Sequence, residues 1–327
     1  MRKRSLLMLF FALLLVLVTA CGGNEEVSQD GAAEQEETAS EESEASESKE
    51  QTITYLNEEY TVASNPTKIV TASQEAMEDA AILGVKPVGA IATGGKFPDY
   101  LGDSMSEATE IGDKQQPNTE TLLQLDPDVI LGTSKFQPEV VENLNSVAPM
   151  IPISHISTNW KENLTFLAEL TGKQDEAAKI IEDYEANVSE VKETIAGKFD
   201  DKKVLMIRIR GGNIFIYSPD LYFNPVLYQD LSLPVAEEVK AAKSQEMITL
   251  EKLAEMNPDY LFVQFEQQEN ADAPQALNDL QGNPIWESIN AAKEDKIFVN
   301  AVPPLAAGGT AWSKTEFIKV VKENLVQ

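Results

Sequence analysis

The sequence predicts an α/β protein made of two lobes on either side of one long helix. Three observations predict it. Residues 174–197, QDEAAKIIEDYEANVSEVKETIAG, contain no Gly or Pro before Gly197, and their apolar residues fall at Ala177, Ile181, Tyr184, Val188, Val191 and Ile195, a single stripe at helical spacing. Short apolar runs alternate with helical patterns both before and after this stretch, as strands and helices do around a largely parallel sheet. Finally, TETLLQLDPDVILG from Thr119 lines up with LEKLAEMNPDYLFV from Leu250, so the two halves share a helix-turn-strand unit.

From its first residue the chain reads as follows. Arg2, Lys3 and Arg4 precede an apolar run from Leu6 to Val18, with Thr19 and Ala20 ahead of Cys21. A basic head, a short apolar core and small residues before the cut describe a secretory leader at 1–20, too short to remain as a spanning helix. The cut region resembles a bacterial lipobox, with Val18 where Leu is more usual. Cys21 is the one cysteine in 327 residues, which leaves no internal disulfide and no Cys-based metal cage and points to lipidation of Cys21. Residues 22–50 hold 11 acidic residues against one Lys and no aromatic residue. They cannot bury enough apolar surface to offset their ordering entropy, and 21–50 is expected to be a lipidated Cys followed by a disordered tether.

The rest divides into a first lobe at 51–173, the linking helix at 174–197 and a second lobe at 198–327. Strands are expected at Lys68–Thr71, Pro87–Ile91, Asp128–Gly132 and Met150–Ile153, and again at Val204–Arg208, Tyr260–Gln264 and Ile297–Asn300. Each copy of the repeated unit ends its helix before X-Pro-Asp, because proline pushes the residue ahead of it out of the helical region. A rod of 24 residues spans roughly 36 Å, the width of a small domain.

The net charge is −28, and leader and tether together account for only part of it, leaving −21 on the folded portion. Nucleic acid and anionic membrane surfaces are poor partners for such a body. Basic residues placed at strand ends therefore stand out. In open α/β sheets ligands bind beyond the carboxyl ends of the strands. Lys135 follows the strand at Asp128–Gly132, and Lys114 lies in the loop ahead of the helix start at Asn118. Arg208 and Arg210, two apart in an otherwise apolar strand, share one face and point to a strand end that meets water or an anion; a carboxylate-paired or solvated edge strand is the alternative. Lys96, Lys243 and Gln245 are weaker candidates. Trp160, Tyr217, Phe223 and Trp312 are candidate aromatic walls, or core.

His155 is the one histidine. Direct coordination of bare Zn or Mn usually takes several His and carboxylate ligands, so no protein-bound metal and no cofactor are expected. An axial haem ligand together with Met77 is one reading of His155, and a loop histidine satisfied by hydrogen bonds is another. The chain has no G-x-S-x-G, Walker-type or G-x-G-x-x-G motif, which argues against a lipid-anchored enzyme. Glu120 and Glu251 occupy equivalent places in the two repeats, each in a first helical turn, where an acid complements the free N–H groups and the helix dipole.

Lipobox, acidic tether, two α/β lobes and a single helical crossover together resemble the solute-binding lipoproteins of iron-siderophore ABC importers. The likeness is closest to the type that binds ferric bacillibactin and enterobactin. It rests on GKFPD at 95–99, SHISTNWKEN at 154–163, RIRGGNIFIY at 208–217, YFNPVLY at 222–228 and GGTAWSK at 308–314. The resemblance implies Rossmann-like lobes of the class III periplasmic binding protein kind, with ligand held between them. It implies that Lys114, Lys135 and Arg210 match a basic triad, with Arg208 alongside, and that Glu120 and Glu251 dock onto arginines of a membrane permease. A ferric tris-catecholate, a trianion with flat rings, suits such cations, since guanidinium groups both pair with anions and stack on rings. Hydroxamate or citrate-type siderophores, haem and cobalamin are the alternatives. The expected protein is a lipid-anchored monomer on the outer face of the cell membrane, handing ferric siderophore to an ABC permease with modest lobe movement.

Overall fold

The helix α5, Gln174–Ile195, divides the chain, and its buried stripe is Ala177, Tyr184, Val191 and Ile195, with Ile181 and Val188 half-buried. At 22 residues it is about 33 Å long. It stops short of Gly197, whose φ of +72° turns the chain away. The computed structural model describes residues 50–326, so the expectations for the leader, Cys21 and almost all of the tether lie outside the described residues. None of the helices among the described residues is long and apolar enough to cross a membrane.

Ahead of α5 lies a five-stranded sheet. Its strands are β3 (Ile69–Thr71), β4 (Gly89–Ala90), β5 (Thr109–Glu110), β6 (Val129–Thr133) and β7 (Met150–Ile153), in the order β5-β4-β3-β6-β7, all parallel. Helices α1 (Gln74–Ile82), α2 (Thr119–Leu125), α3 (Pro138–Asn145) and α4 (Trp160–Thr171) surround it. A hairpin absent from the sequence reading, β1 (Glu50–Tyr55) with β2 (Glu58–Ala63), precedes the sheet. Tyr55 ties it down: its hydroxyl donates to Asn163 Oδ1 and accepts from Ser154 N, and its ring packs on Phe166 with centroids 4.9 Å apart.

After α5 comes a second five-stranded sheet of β8 (Val204–Arg210), β9 (Asn213–Tyr217), β10 (Gln245–Ile248), β11 (Tyr260–Phe265) and β12 (Ile297–Val299), ordered β10-β9-β8-β11-β12. It is mixed rather than largely parallel. The chain reverses at Gly211-Gly212, with φ of +52° and +76°, into a two-residue hairpin that pairs Arg210 with Asn213, and β10 adds antiparallel to β9. Helices α6 (Glu237–Ala241), α7 (Leu250–Met256), α8 (Ala276–Gln281), α9 (Pro284–Glu287), α10 (Asn290–Lys293) and α11 (Ala311–Leu325) complete this half.

The repeated unit is structural. Asn118 caps α2 and Thr249 caps α7, each side chain accepting from the backbone N–H three residues on at 3.1 Å. The residue ahead of each proline does leave the helix, but into the left-handed region, Asp126 at φ 48° and Asn257 at φ 45°, not into extended backbone. Asp and Asn tolerate that conformation at a helix C-terminus. The aspartate after each proline then binds the chain entering the neighbouring strand: Asp128 Oδ2 accepts from Lys68 N, and Asp259 Oδ2 from Lys203 N, both at 2.9 Å.

The C-terminal helix α11 joins the halves. Phe317 is fully buried between Phe223 and Phe262 of the second half, with centroids at 4.8 and 5.1 Å. Its first turn, however, is held by the first half. Glu78 of α1 accepts from Ala307 N and from the hydroxyls of Tyr100, Thr310 and Ser313, and Asp79 Oδ1 accepts from Ala311 N at 3.1 Å. One hydrophobic core accordingly runs from β1 through α4, α5 and α11 into the second sheet.

Candidate functional site

Each candidate cation is presented by a local device. Lys114 rides a tight turn in which Asp113 Oδ1 accepts from Gln115 N and Gln116 N at 2.8 and 3.0 Å, closed by bridging of Gly112 with Pro117. Lys135 sits in the turn after β6, where Phe136 N donates to Thr133 O at 3.1 Å. Arg208 and Arg210 lie on one face at the carboxyl end of β8, a central strand.

Three of these cations, Lys114, Arg208 and Arg210, converge on a residue that the sequence reading passed over. Glu269 Oε2 accepts from Arg208 Nε and Nη2 at 3.0 and 2.6 Å, while Glu269 Oε1 faces Arg210 Nη2 at 3.5 Å and Lys114 Nζ at 3.6 Å. The Glu269 side chain is 9% exposed, Arg208 12%, Arg210 35% and Lys114 46%, so the group opens outward from a buried carboxylate to solvent-facing cations. Lys114 belongs to the first half and the arginines to the second. Lys135 pairs separately with Glu75 at 3.4 Å and lies close enough to act on Lys114. Burial is the main cause holding the Lys114 ammonium below its ordinary pKa; Glu269 opposes this, and Arg210, Arg208 and Lys135 add to it. Like charges are thus gathered against their own repulsion.

Glu269 is fixed by its backbone. Gly211 N donates to Glu269 O at 3.0 Å, and the buried Asn270 bonds to Gly212 N, Ile209 O and Glu266 O. The hairpin turn carrying the arginines and the turn carrying the carboxylate are therefore one assembly. No local pattern reveals this, because Glu269 is one acid in an acid-rich run 61 residues from Arg208.

The remaining candidates divide. Gln245 Oε1 accepts from Arg210 Nη1 at 3.3 Å, and Tyr217, buried, stacks on Tyr222 at 4.7 Å beside Arg208. Tyr222 itself, at φ +60°, carries Arg208 over its ring at 5.5 Å. Trp312 is half-buried and packs on Tyr100, centroids 4.6 Å apart. Lys243 is exposed, its backbone N donating to Glu246. Lys96 lines a pocket of about 400 Å³ with Phe97, Asp99, Met105 and Glu110, wholly within the first half. Two aromatics are not brought to the cluster. Trp160 is 5% exposed, wedged between Tyr184 at 5.0 Å and Lys314 Nζ at 5.5 Å, and Phe223 is fully buried in the core.

His155 Nδ1 lies 2.8 Å from Ser134 Oγ, and burial, then Lys135, hold its pKa below the usual value. Met77, its partner in the haem reading, is 1% exposed in the core of the first sheet and so is not open to a ligand. Among the described residues no group of three or more His, Cys, Asp or Glu is gathered to hold a metal. Glu120 and Glu251 are both exposed in the first turns of α2 and α7; the Glu251 carboxyl is held below its usual range by its own backbone N–H and by the Thr249 hydroxyl.

The periplasmic binding protein family model matches residues 69–300. The chain is 52% identical over 284 residues to the iron-uptake system-binding protein of Bacillus subtilis (strain 168), which covers 86% of this chain and 89% of that protein. It is 30% identical over 278 residues to the probable siderophore-binding lipoprotein YfiY of the same organism, 82% and 85% covered. The crystal structure of the triscatecholate siderophore binding protein FeuA from Bacillus subtilis, complexed with ferri-bacillibactin, superposes with a TM-score of 0.81 at 52% identity, covering 85% of this chain and 98% of that one.

Proposed function

The chain belongs to the periplasmic binding protein family, and from that premise we propose that it captures a ferric siderophore, an anionic tris-catecholate, outside the cytoplasmic membrane and delivers it to an ABC permease for iron uptake. The supporting relative is the FeuA structure with ferri-bacillibactin. The observation that carries the reading is the meeting of Lys114 with Arg208 and Arg210 around one carboxylate. Three cations against one carboxylate leave net positive charge at a partly exposed place, which suits an anionic ligand.

In this reading Lys114, Lys135, Arg208 and Arg210 bind the trianion between two lobes, at 51–173 and 198–327, joined by the helix at 174–197. Gln245 fills out the guanidinium of Arg210, and Tyr217 and Trp312 wall the flat rings. Lys96 and Lys243 lie further out and steer. No bond in the ligand is made or broken, so there is no catalytic residue. Lipid on Cys21 holds the monomer at the membrane through the acidic tether, and Glu120 and Glu251 meet the permease.

Tryptophan-fluorescence quenching with ferri-bacillibactin, a ferric hydroxamate, ferric citrate, haem and cobalamin in parallel tests the proposal. Ferri-bacillibactin is expected to bind tightest, and Arg210→Ala to weaken it by about tenfold or more, less so as salt rises. Tightest binding of haem or cobalamin would replace this reading; a hydroxamate preference would keep the class and change the ligand.

A further inference from the structure

We infer that Glu269 is a built-in counter-anion: it occupies the cation cluster in the empty protein and sets how much negative charge a ligand must carry to compete for Lys114 and Arg210. The inference rests on the proposed anionic ligand and adds a selectivity device to it.

The two oxygens of Glu269 are held differently. Oε2 takes both hydrogen bonds from Arg208, which fixes the carboxylate in place. Oε1 is buried and has no hydrogen-bond partner, although Arg210 and Lys114 stand 3.5 and 3.6 Å from it. What sets this oxygen apart from the equally orphaned Oδ2 of Asp79 is that two partly exposed cations face it. Here one guanidinium is locked, while two cations are attracted without being bonded and remain able to turn to an arriving anion. Lys114 comes from the first half and the arginines from the second, so the same carboxylate offsets one of three positive charges where the halves meet.

Competition follows from the charges. A singly charged ligand offers Lys114 and Arg210 little more than Glu269 already does, and it meets the repulsion of the carboxylate. A trianion offers each cation a full partner and leaves Glu269 on Arg208. Parting Lys114 and Arg210 from Glu269 costs every anion the same, so a weakly charged one is left with little net attraction while a trianion, held by several cations at once, still binds: the device sets a threshold of charge.

Replacing Glu269 by Gln removes the charge at nearly constant shape, and Glu269→Asp keeps the charge. In the full chain, Kd for ferri-bacillibactin and for ferric citrate would be measured by fluorescence quenching, and the thermal midpoint followed against inorganic phosphate. Glu269→Gln is expected to bind both ferric complexes about tenfold tighter or more, and to be stabilised by phosphate where the parent chain is not. Glu269→Asp should keep the parent affinities and stay unresponsive to phosphate. Unchanged affinities in Glu269→Gln, or equal stabilisation of both chains by phosphate, would overturn the inference. If Glu269→Gln is unfolded in dilute buffer, recovery by phosphate supports the counter-anion role and failure to recover contradicts it. If the parent chain binds no ferric siderophore, the proposed function falls, and the phosphate titration still decides the role of Glu269.

Discussion

Asp79 shows how a single side chain couples the two halves to pH. Its Oδ1 accepts from Ala311 N, its Oδ2 is buried with no partner, and burial, with Glu78 and Glu75 nearby, raises its pKa well above the usual carboxylate value. Glu78 is raised too, by burial, against the pull of its four donors. The folded state thus keeps these protons at pH values where the unfolded chain, with an ordinary Asp near ~3.9, has lost them. Their contribution is fully present below the unfolded pKa and is lost as pH rises toward the folded value. Urea midpoints should accordingly fall as pH rises above the ordinary carboxylate range, and fall less in Asp79→Asn, which removes one of the two raised carboxyls. Identical slopes in both proteins would refute this. The functional residues differ in the same way between what is local and what is not. Arg208 and Arg210 could be found because two charges at strand spacing in an apolar run are conspicuous. Asp79 and Glu269 could not, because an acid in an acidic chain signals nothing until the fold supplies its partners.

At the scale of elements, strands written as continuous apolar runs were legible: Met150–Ile153 is matched residue for residue, and Val204–Arg208 and Tyr260–Gln264 to within two. What failed were the elements that alternate or are short. The hairpin at Glu50–Ala63 and the edge strand Gln245–Ile248 are largely exposed, and their polar faces dilute the signal, so the second sheet's antiparallel edge went unread. The repeat was legible because α2 and α7 are bounded by the same cap and the same Pro-Asp exit. Equivalent caps place Glu120 and Glu251 at equivalent points, both exposed. Capping accounts for part of this, as the lowered Glu251 pKa indicates. Glutamates held on rigid helix ends in both copies also suit two basic patches on a permease. Reversing either charge, Glu120→Lys or Glu251→Lys, should abolish iron uptake by cells and leave ferri-bacillibactin affinity unchanged. Lost affinity, or uptake at the parent rate, would remove the docking role.

The whole molecule is bolted where its halves meet. Besides Glu78 and Asp79, the buried Lys314 Nζ binds Asp230 Oδ2 at 2.8 Å under the rings of Trp160 and Tyr184, and the Tyr184 hydroxyl of α5 donates to the same oxygen at 2.6 Å. Gly309 closes the joint: a Cβ there would lie 2.7 Å from the Ser157 Cα, so backbone from the two halves is already in contact. Opening such a joint would strand several buried donors and acceptors at about 1–3 kcal/mol each, far more than a hinge of free loops requires. Ligand loading should then move the turns bearing Lys114, Lys135 and Glu269 and leave the two sheets in place. Spin labels at the exposed Leu123 and Met247, one in each half, make this measurable. Their separation should shift by less than about 2 Å when ferri-bacillibactin is added, the range of preorganised partners. Glu78→Ala, which removes the acceptor of four hydrogen bonds across or beside the joint, should broaden the distance distribution in the empty protein and narrow it again on loading. A large displacement in the parent chain would mean that the joint opens despite these bonds, and that binding is driven by lobe closure instead of by cations already in place.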